Sequence, residues 1–128
     1  MRVSAPDNCG NSPRSLLAIE IAINLAANEY DKIEQFLAED FVWSVPGDDK
    51  LIEKSELEEH MNKRARSKSP IEKLDILTSI SHGKYAAVSS RAHMSNGAKS
   101  NSHDLYEFTS AGSSARLRKV TSYVIDRK

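Results

Sequence analysis

The chain is predicted to fold as one α+β domain, with three helices grouped ahead of a curved, mainly antiparallel sheet. Three observations predict it. An apolar stretch opened by Ser12-Pro13 repeats at helical spacing as far as Ala27. From Ile71 onward the period drops to two, with Leu74, Ile76 and Ile80 alternating with Lys73, Asp75 and Ser79. Between two further alternating runs lies Asn96-Gly97, a dipeptide that tolerates the positive φ of a type I′ hairpin turn. Helices collected before an antiparallel sheet indicate an α+β arrangement.

A chain of 128 residues suits one domain with one core. Its 18 basic and 18 acidic residues cancel, which argues against nucleic acid or an anionic membrane as a partner. The longest apolar run, Leu16 to Ile23, is broken by Glu20 and is too short to span a bilayer. No basic segment followed by an apolar core opens the chain, so no secretory signal is expected, and a cytoplasmic location follows. The single cysteine, Cys9, rules out an internal disulfide and is expected to be an inert thiol.

Residues 1–11 are polar and turn-rich and are expected to be a flexible tail ahead of a domain over 12–128. The first helix runs from about Pro13 to Ala27. Glu20, Asn24 and Asn28 make a narrow polar stripe on it and almost all else is apolar, so it belongs in the concavity of the sheet. A second helix is expected over about Tyr30–Leu37, burying Ile33, Phe36 and Leu37. Phe41–Val45 is a short strand ended by Pro46-Gly47 and a charged turn. A third helix opens at Ser55, where Ser55 and Glu58 match a capping box. Acidic residues in its first turn and basic ones near its end complement the helix dipole. Leu57 and Met61 mark its buried side, its charged residues form a solvated face, and Ser69-Pro70 stops it. Four strands follow in a meander, with turns at His82-Gly83-Lys84, at Asn96-Gly97 and in the loop from Ser110, and the last strand is Arg116–Ile125.

A two-residue turn at Asn96-Gly97 would pair Ser95 with Ala98, Arg91 with Ser102 and Tyr85 with Phe108. Side chains alternate along a strand, so Tyr85, Arg91 and His93 would share a face with Ser102, Asp104, Tyr106 and Phe108. Aromatic at one end and charged at the other, that face suits the wall of a pocket for a small apolar or amphipathic ligand. Asp104 is its candidate acid or hydrogen-bond donor, and Arg91 the candidate carboxylate or enolate ligand unless the two form a cross-strand ion pair. Trp43, with the parity of Val45, and His60, from the third helix, are further lining candidates. His60, His82, His93 and His103 share no metal-ligand spacing, so no metal and no cofactor are expected.

The element order and its junctions resemble the nuclear transport factor two-like superfamily, also called SnoaL-like or cystatin-like α+β cones. The residues that carry the resemblance are Ile33-Glu34-Gln35-Phe36-Leu37-Ala38-Glu39-Asp40-Phe41-Val42-Trp43, the following Pro-Gly, His103-Asp104-Leu105-Tyr106-Glu107-Phe108 and Leu117-Arg118-Lys119-Val120-Thr121-Ser122-Tyr123. The resemblance implies a cone with a pocket between sheet and helices, usually in a homodimer, among relatives that include isomerases, cyclases, hydrolases, dehydratases and binding modules without catalysis. Against the ketosteroid isomerases, Asp104 falls where that family has the aspartic acid of its oxyanion hole. The general-base position is Val45 here, and the oxyanion-hole tyrosine aligns near Ile21, so that mechanism is not expected. The two-aspartate arrangement of the epoxide hydrolases is not matched. Two functions remain open. One is a small-molecule-binding cone, whose chemistry, if it is an enzyme, should be cofactor-free proton transfer. The other is a non-catalytic homodimer with a vestigial pocket, its face built from Ala86, Val88, Ala92, Met94 and Leu105.

Overall fold

The structure, a computed structural model, describes residues 1–6, 12–48, 50–67 and 69–127; Cys9 and the rest of 7–11 in the expected tail lie outside them. Nine regular elements follow in chain order: strand β1 (Arg2–Ser4), helix α1 (Pro13–Ala26), strands β2 (Leu37–Val45) and β3 (Lys50–Glu53), helix α2 (Lys54–Ser67), and strands β4 (Ile71–His82), β5 (Tyr85–Met94), β6 (Lys99–Phe108) and β7 (Leu117–Arg127). The seven strands form one curved sheet in the order β1-β4-β5-β6-β7-β2-β3. Its ladders are antiparallel except β1 with β4 and β2 with β7. Among the described residues, no helix is long and apolar enough to cross a membrane.

Two α-helices form where three were expected. Tyr30–Leu37 folds as two successive turns of 3-10 helix, Tyr30–Lys32 and Glu34–Phe36, and Leu37 already begins β2. Of the three apolar positions expected to be buried, Ile33 and Leu37 are, while Phe36 is half-buried against the core. Eight residues give too few i→i−4 bonds to offset nucleation, and β2 captures the last of them. Arg2–Ser4, within the expected tail, pairs with Lys73–Asp75. Lys50–Glu53, within the expected charged turn, pairs with β2.

Helix α1 starts as read. Ser12 is its N-cap, its hydroxyl accepting from the Ser15 amide, and Pro13 follows. The capping box of α2 sits two residues earlier than the sequence suggests. The carboxylate of Glu56 accepts from the backbone N–H of Glu53, so Glu53 occupies the cap position rather than Ser55.

The register of the β5–β6 hairpin is offset by one residue from the expected one. The turn is not type I′: the Gly97 amide donates to the Met94 carbonyl, Met94 donates to Ala98, and Gly97 alone takes positive φ, at 89°. This three-residue loop is a type I turn closed by a left-handed glycine bulge, the other hairpin solution open to an Asn-Gly pair. Ala86 therefore faces Tyr106, Val88 faces Asp104 and Arg91 faces Asn101. A one-residue slip exchanges the faces of one strand relative to the other. A bulge between Ile76 and Thr78 does the same within β4, burying Ser79 and leaving Ile80 62% exposed.

The concave face carries the core. Phe41, Trp43, Val88, Tyr106, Phe108, Leu117 and Val120 meet Ala18, Ile21 and Leu25 of α1 and Leu57 and Met61 of α2. Tyr106 and Phe108, expected to look into a hollow, have no exposed surface.

Candidate functional site

Besides the serines that link α1 to β4, a cluster of polar side chains interrupts this core on the concave surface between β2, β6 and β7, beneath the C-terminal half of α2. Asp104 stands at its centre, between Val88 on β5 and Ser122 on β7. The Ser102 hydroxyl donates to one carboxylate oxygen at 2.8 Å and the Tyr106 hydroxyl to the other at 3.2 Å. Strand alternation explains the grouping: Ser102, Asp104 and Tyr106 are successive inward positions of β6. Burial and the neighbouring carboxylate push the Tyr106 phenol well above its ordinary range, so it stays a protonated donor.

Trp43 lies across the cluster on β2, two strands from Asp104. Its indole N–H donates to the buried Ser122 hydroxyl at 2.8 Å. The edge of the ring meets His60 of α2, with centroids 5.6 Å apart and planes at 85°. Arg64, one helical turn further along α2, places its guanidinium carbon 5.1 Å from the centre of the indole. It donates through Nε to the Asn28 side-chain oxygen at 3.1 Å and through Nη2 to the Leu25 carbonyl at the end of α1. Burial lowers the pKa of Arg64 from the usual guanidinium range, and the charge of Asp104 acts against that shift. The two are close enough to interact electrostatically but do not make a direct ion pair. Asn28 adopts a left-handed conformation, φ 57°, where α1 gives way to the 3-10 turns.

Of the residues singled out from sequence, Trp43, Asp104, Tyr106 and His60 come together. Phe108 shares their face but lies further along β6, under the guanidinium of Arg14 at 4.1 Å. Arg91 is not on that wall. The shifted register turns it to the convex face, where it donates to Asn101 at 3.0 Å, and the expected Arg91–Ser102 pairing gives way to Arg91–Asn101. His93 faces the same way and bonds Asp75 at 2.8 Å. Arg64, Ser122 and Asn28 were not singled out. A signal for Arg64 existed: Leu57, Met61 and Arg64 fall at i, i+4 and i+7 on α2, so the buried stripe runs through the basic end. Reading the charges as one solvated face hid it.

Two shallow depressions open nearby. One is bordered by Ser44, Val45, Pro46, Lys50 and Leu51. The other lies between β3 and α2, lined by Leu51, Ile52, Glu56, Glu59, His60 and Lys63. His60 thus touches both the second groove and Trp43.

No family model matches this chain. No curated protein matches it either. Solved structures do. A SnoaL-like protein from Shewanella denitrificans, provisionally described as a polyketide cyclase, superposes with a TM-score of 0.72 over 89% of this chain and 92% of its own, at 11% identity. A provisionally described ketosteroid isomerase from Kribbella flavida gives 0.68 over 89% and 78%, at 16% identity. An NTF2-like protein of unknown function from Burkholderia xenovorans gives 0.66 over 90% and 83%, at 15% identity. Identities this low establish a shared fold: the chain has the SnoaL-like, NTF2-like architecture.

Proposed function

We propose that this NTF2-like chain is a small-molecule-binding cone protein whose ligand sits against Trp43, Arg64 and Asp104, entering by the groove that His60 borders. The observation that carries the reading is Asp104: a half-buried carboxylate on the core-facing side of the sheet, beside Trp43 and Tyr106, with both oxygens aligned by hydroxyl donors. Buried polar groups cost stability unless partnered, and a core needing only to be filled would place an apolar side chain there. If the protein is an enzyme, cofactor-free proton transfer, as in isomerisation, dehydration or cyclisation, fits these groups. As arranged, Asp104 accepts hydrogen bonds, so the acid or donor role suggested by the resemblance would need it to carry a proton. Tyr106, with no exposed surface and its one O–H directed at Asp104, aligns that carboxylate instead of meeting the ligand. The neighbours described as a cyclase and an isomerase are compatible with such chemistry. The test is a thermal-shift panel of small ketones, lactones, acids and amines on wild type and Asp104→Asn. Stabilisation of wild type that the variant loses is expected; equal shifts in both would refute the assignment.

A second reading, a non-catalytic homodimer, has its own observation. The convex face exposes Ile80 (62%), Leu105 (44%), Tyr123 (53%) and Ile125 (61%). A dimer would use this surface rather than the expected one, because Ala86, Val88 and Ala92 are buried under the helices. Light scattering at micromolar concentration distinguishes it: a monomer counts against the dimer.

A further inference from the structure

The groups that hold or face the head of Arg64 are electron-rich. The Leu25 carbonyl belongs to the last turn of α1, at the negative end of the helix dipole, and it accepts from Arg64 beside the Asn28 backbone amide at 3.3 Å, a carbonyl oxygen having two lone pairs. The Asn28 side chain presents its oxygen, the Trp43 ring its π face, and Asp104 its charge. Carbonyl, amide oxygen, aromatic face and nearby carboxylate are the components of a cation receptor, and in this structure the chain's own guanidinium occupies it.

We propose that the site recognises a small organic cation with a guanidinium-like head, and that Arg64 is the chain's internal stand-in for it. The proposal rests on the binding reading above and deepens it by naming the ligand class, with Trp43 and Asp104 kept as the wall and Arg64 moved aside. Geometry makes the stand-in displaceable. Arg64 is the last inward-facing position of the α2 stripe, is only partly buried, and is held by two neutral acceptors without an ion pair. Swinging the side chain outward along its flexible stem would leave those acceptors and the indole face to an incoming head group of the same shape. A planar head suits them better than a compact ammonium, because the acceptors and the ring lie around a flat, forked donor. An anion fits worse. It would have to bind Arg64 while facing Asp104 and the oxygens of Leu25 and Asn28. Competition by Arg64 also fixes how affinity should respond: apparent binding to wild type is weakened by the small fraction of molecules in which Arg64 has left the site.

The experiment compares wild type with Arg64→Ala in thermal-shift and calorimetric titrations with methylguanidinium, and with its neutral near-isostere methylurea, ethylammonium and acetate as controls. Methylguanidinium is expected to bind Arg64→Ala at least about tenfold more tightly than wild type. Methylurea and acetate should not bind, ethylammonium should bind more weakly, and adding Asp104→Asn should reduce the gain. A folded Arg64→Ala protein that responds alike to methylguanidinium and methylurea, or no more than wild type does, overturns the proposal. If Arg64→Ala does not fold alone, refolding it with millimolar methylguanidinium supplies the readout: recovery supports the proposal. Failure to recover, together with no cation response in Arg64→Gln, refutes it. Wild type that binds ketones or lactones while Arg64→Ala takes no cation would sink this inference and leave the broader binding reading standing.

Discussion

The hydrogen bond between Trp43 and Ser122 allows the sharpest quantitative test of the cluster, by a double-mutant cycle. Trp43→Phe keeps an aromatic ring but removes the N–H that donates at 2.8 Å. It leaves the Ser122 hydroxyl, 3% exposed, without that donor. Orphaning a buried polar group costs about 1–3 kcal/mol. The smaller ring also loses part of the contact with Arg64, worth about 0.5–1 kcal/mol, and leaves a small void worth about 1 kcal/mol. The expected total is about 2.5–5 kcal/mol, or a fall in Tm of about 10–20 °C for a domain of this size. Ser122→Ala orphans the indole N–H instead and should cost about 1–3 kcal/mol. The double variant removes both partners, so it should be more stable than the sum of the singles implies by about 1–2 kcal/mol. Trp43 is the only tryptophan in the chain, so unfolding in urea is followed by far-UV circular dichroism in all four proteins. Costs that add to within about 0.3 kcal/mol would refute the bond as an energetic link.

Tyr106→Phe should keep the core packed, because the ring is fully buried and unchanged, while removing one donor to Asp104. A loss of about 1.5–3 kcal/mol is expected, the range for a hydrogen bond to a charged group, measured by urea denaturation at neutral pH. The same loss in an Asp104→Asn background would argue against a charged acceptor. On the convex face, the hydrogen bonds from Ser4 and His93, with Lys73 nearby, hold the pKa of Asp75 down from 3.8 to about 2. A folded-state value below the unfolded one means that the stabilisation is present above about pH 4 and is lost as pH falls toward about 2. Acid titration of stability should therefore show a limb in that window that Asp75→Asn lacks; an unchanged limb would show that other carboxylates carry it.

Much of the architecture was legible because it depends on period and punctuation. The long alternating strands, the Ser12-Pro13 start of α1 and the Leu57/Met61 face of α2 each follow from a pattern that packing reinforces. What escaped depends on choices between locally similar solutions. Asn96-Gly97 suits both a two-residue and a three-residue loop, and the choice between them moved Arg91 from the expected wall to the other side of the sheet. The bulge that turns Ile80 outward leaves no trace in composition, because serine and isoleucine both tolerate strand geometry. For the candidate site, the inward parity of Trp43, Asp104 and Tyr106 could be read from alternation within each strand. Arg64 could not be placed by charge type alone, since the same residue serves a solvated face or a buried one. Only its phase relative to Leu57 and Met61 separates the two.

Strand β1 is three residues long and exposed along its whole length, yet it covers the outer margin of β4, one of the longest strands in the sheet. Among the described residues, short backbone pairing and the Ser4–Asp75 bond hold it there. Trimming or tethering the first five residues would strip this guard and leave Lys73–Asp75 as an open template for foreign strands. A tag fused at the amino end is thus a greater hazard for this protein than one at a loop, and clumping in a tagged preparation would trace to that margin before it traced to any flaw in the core.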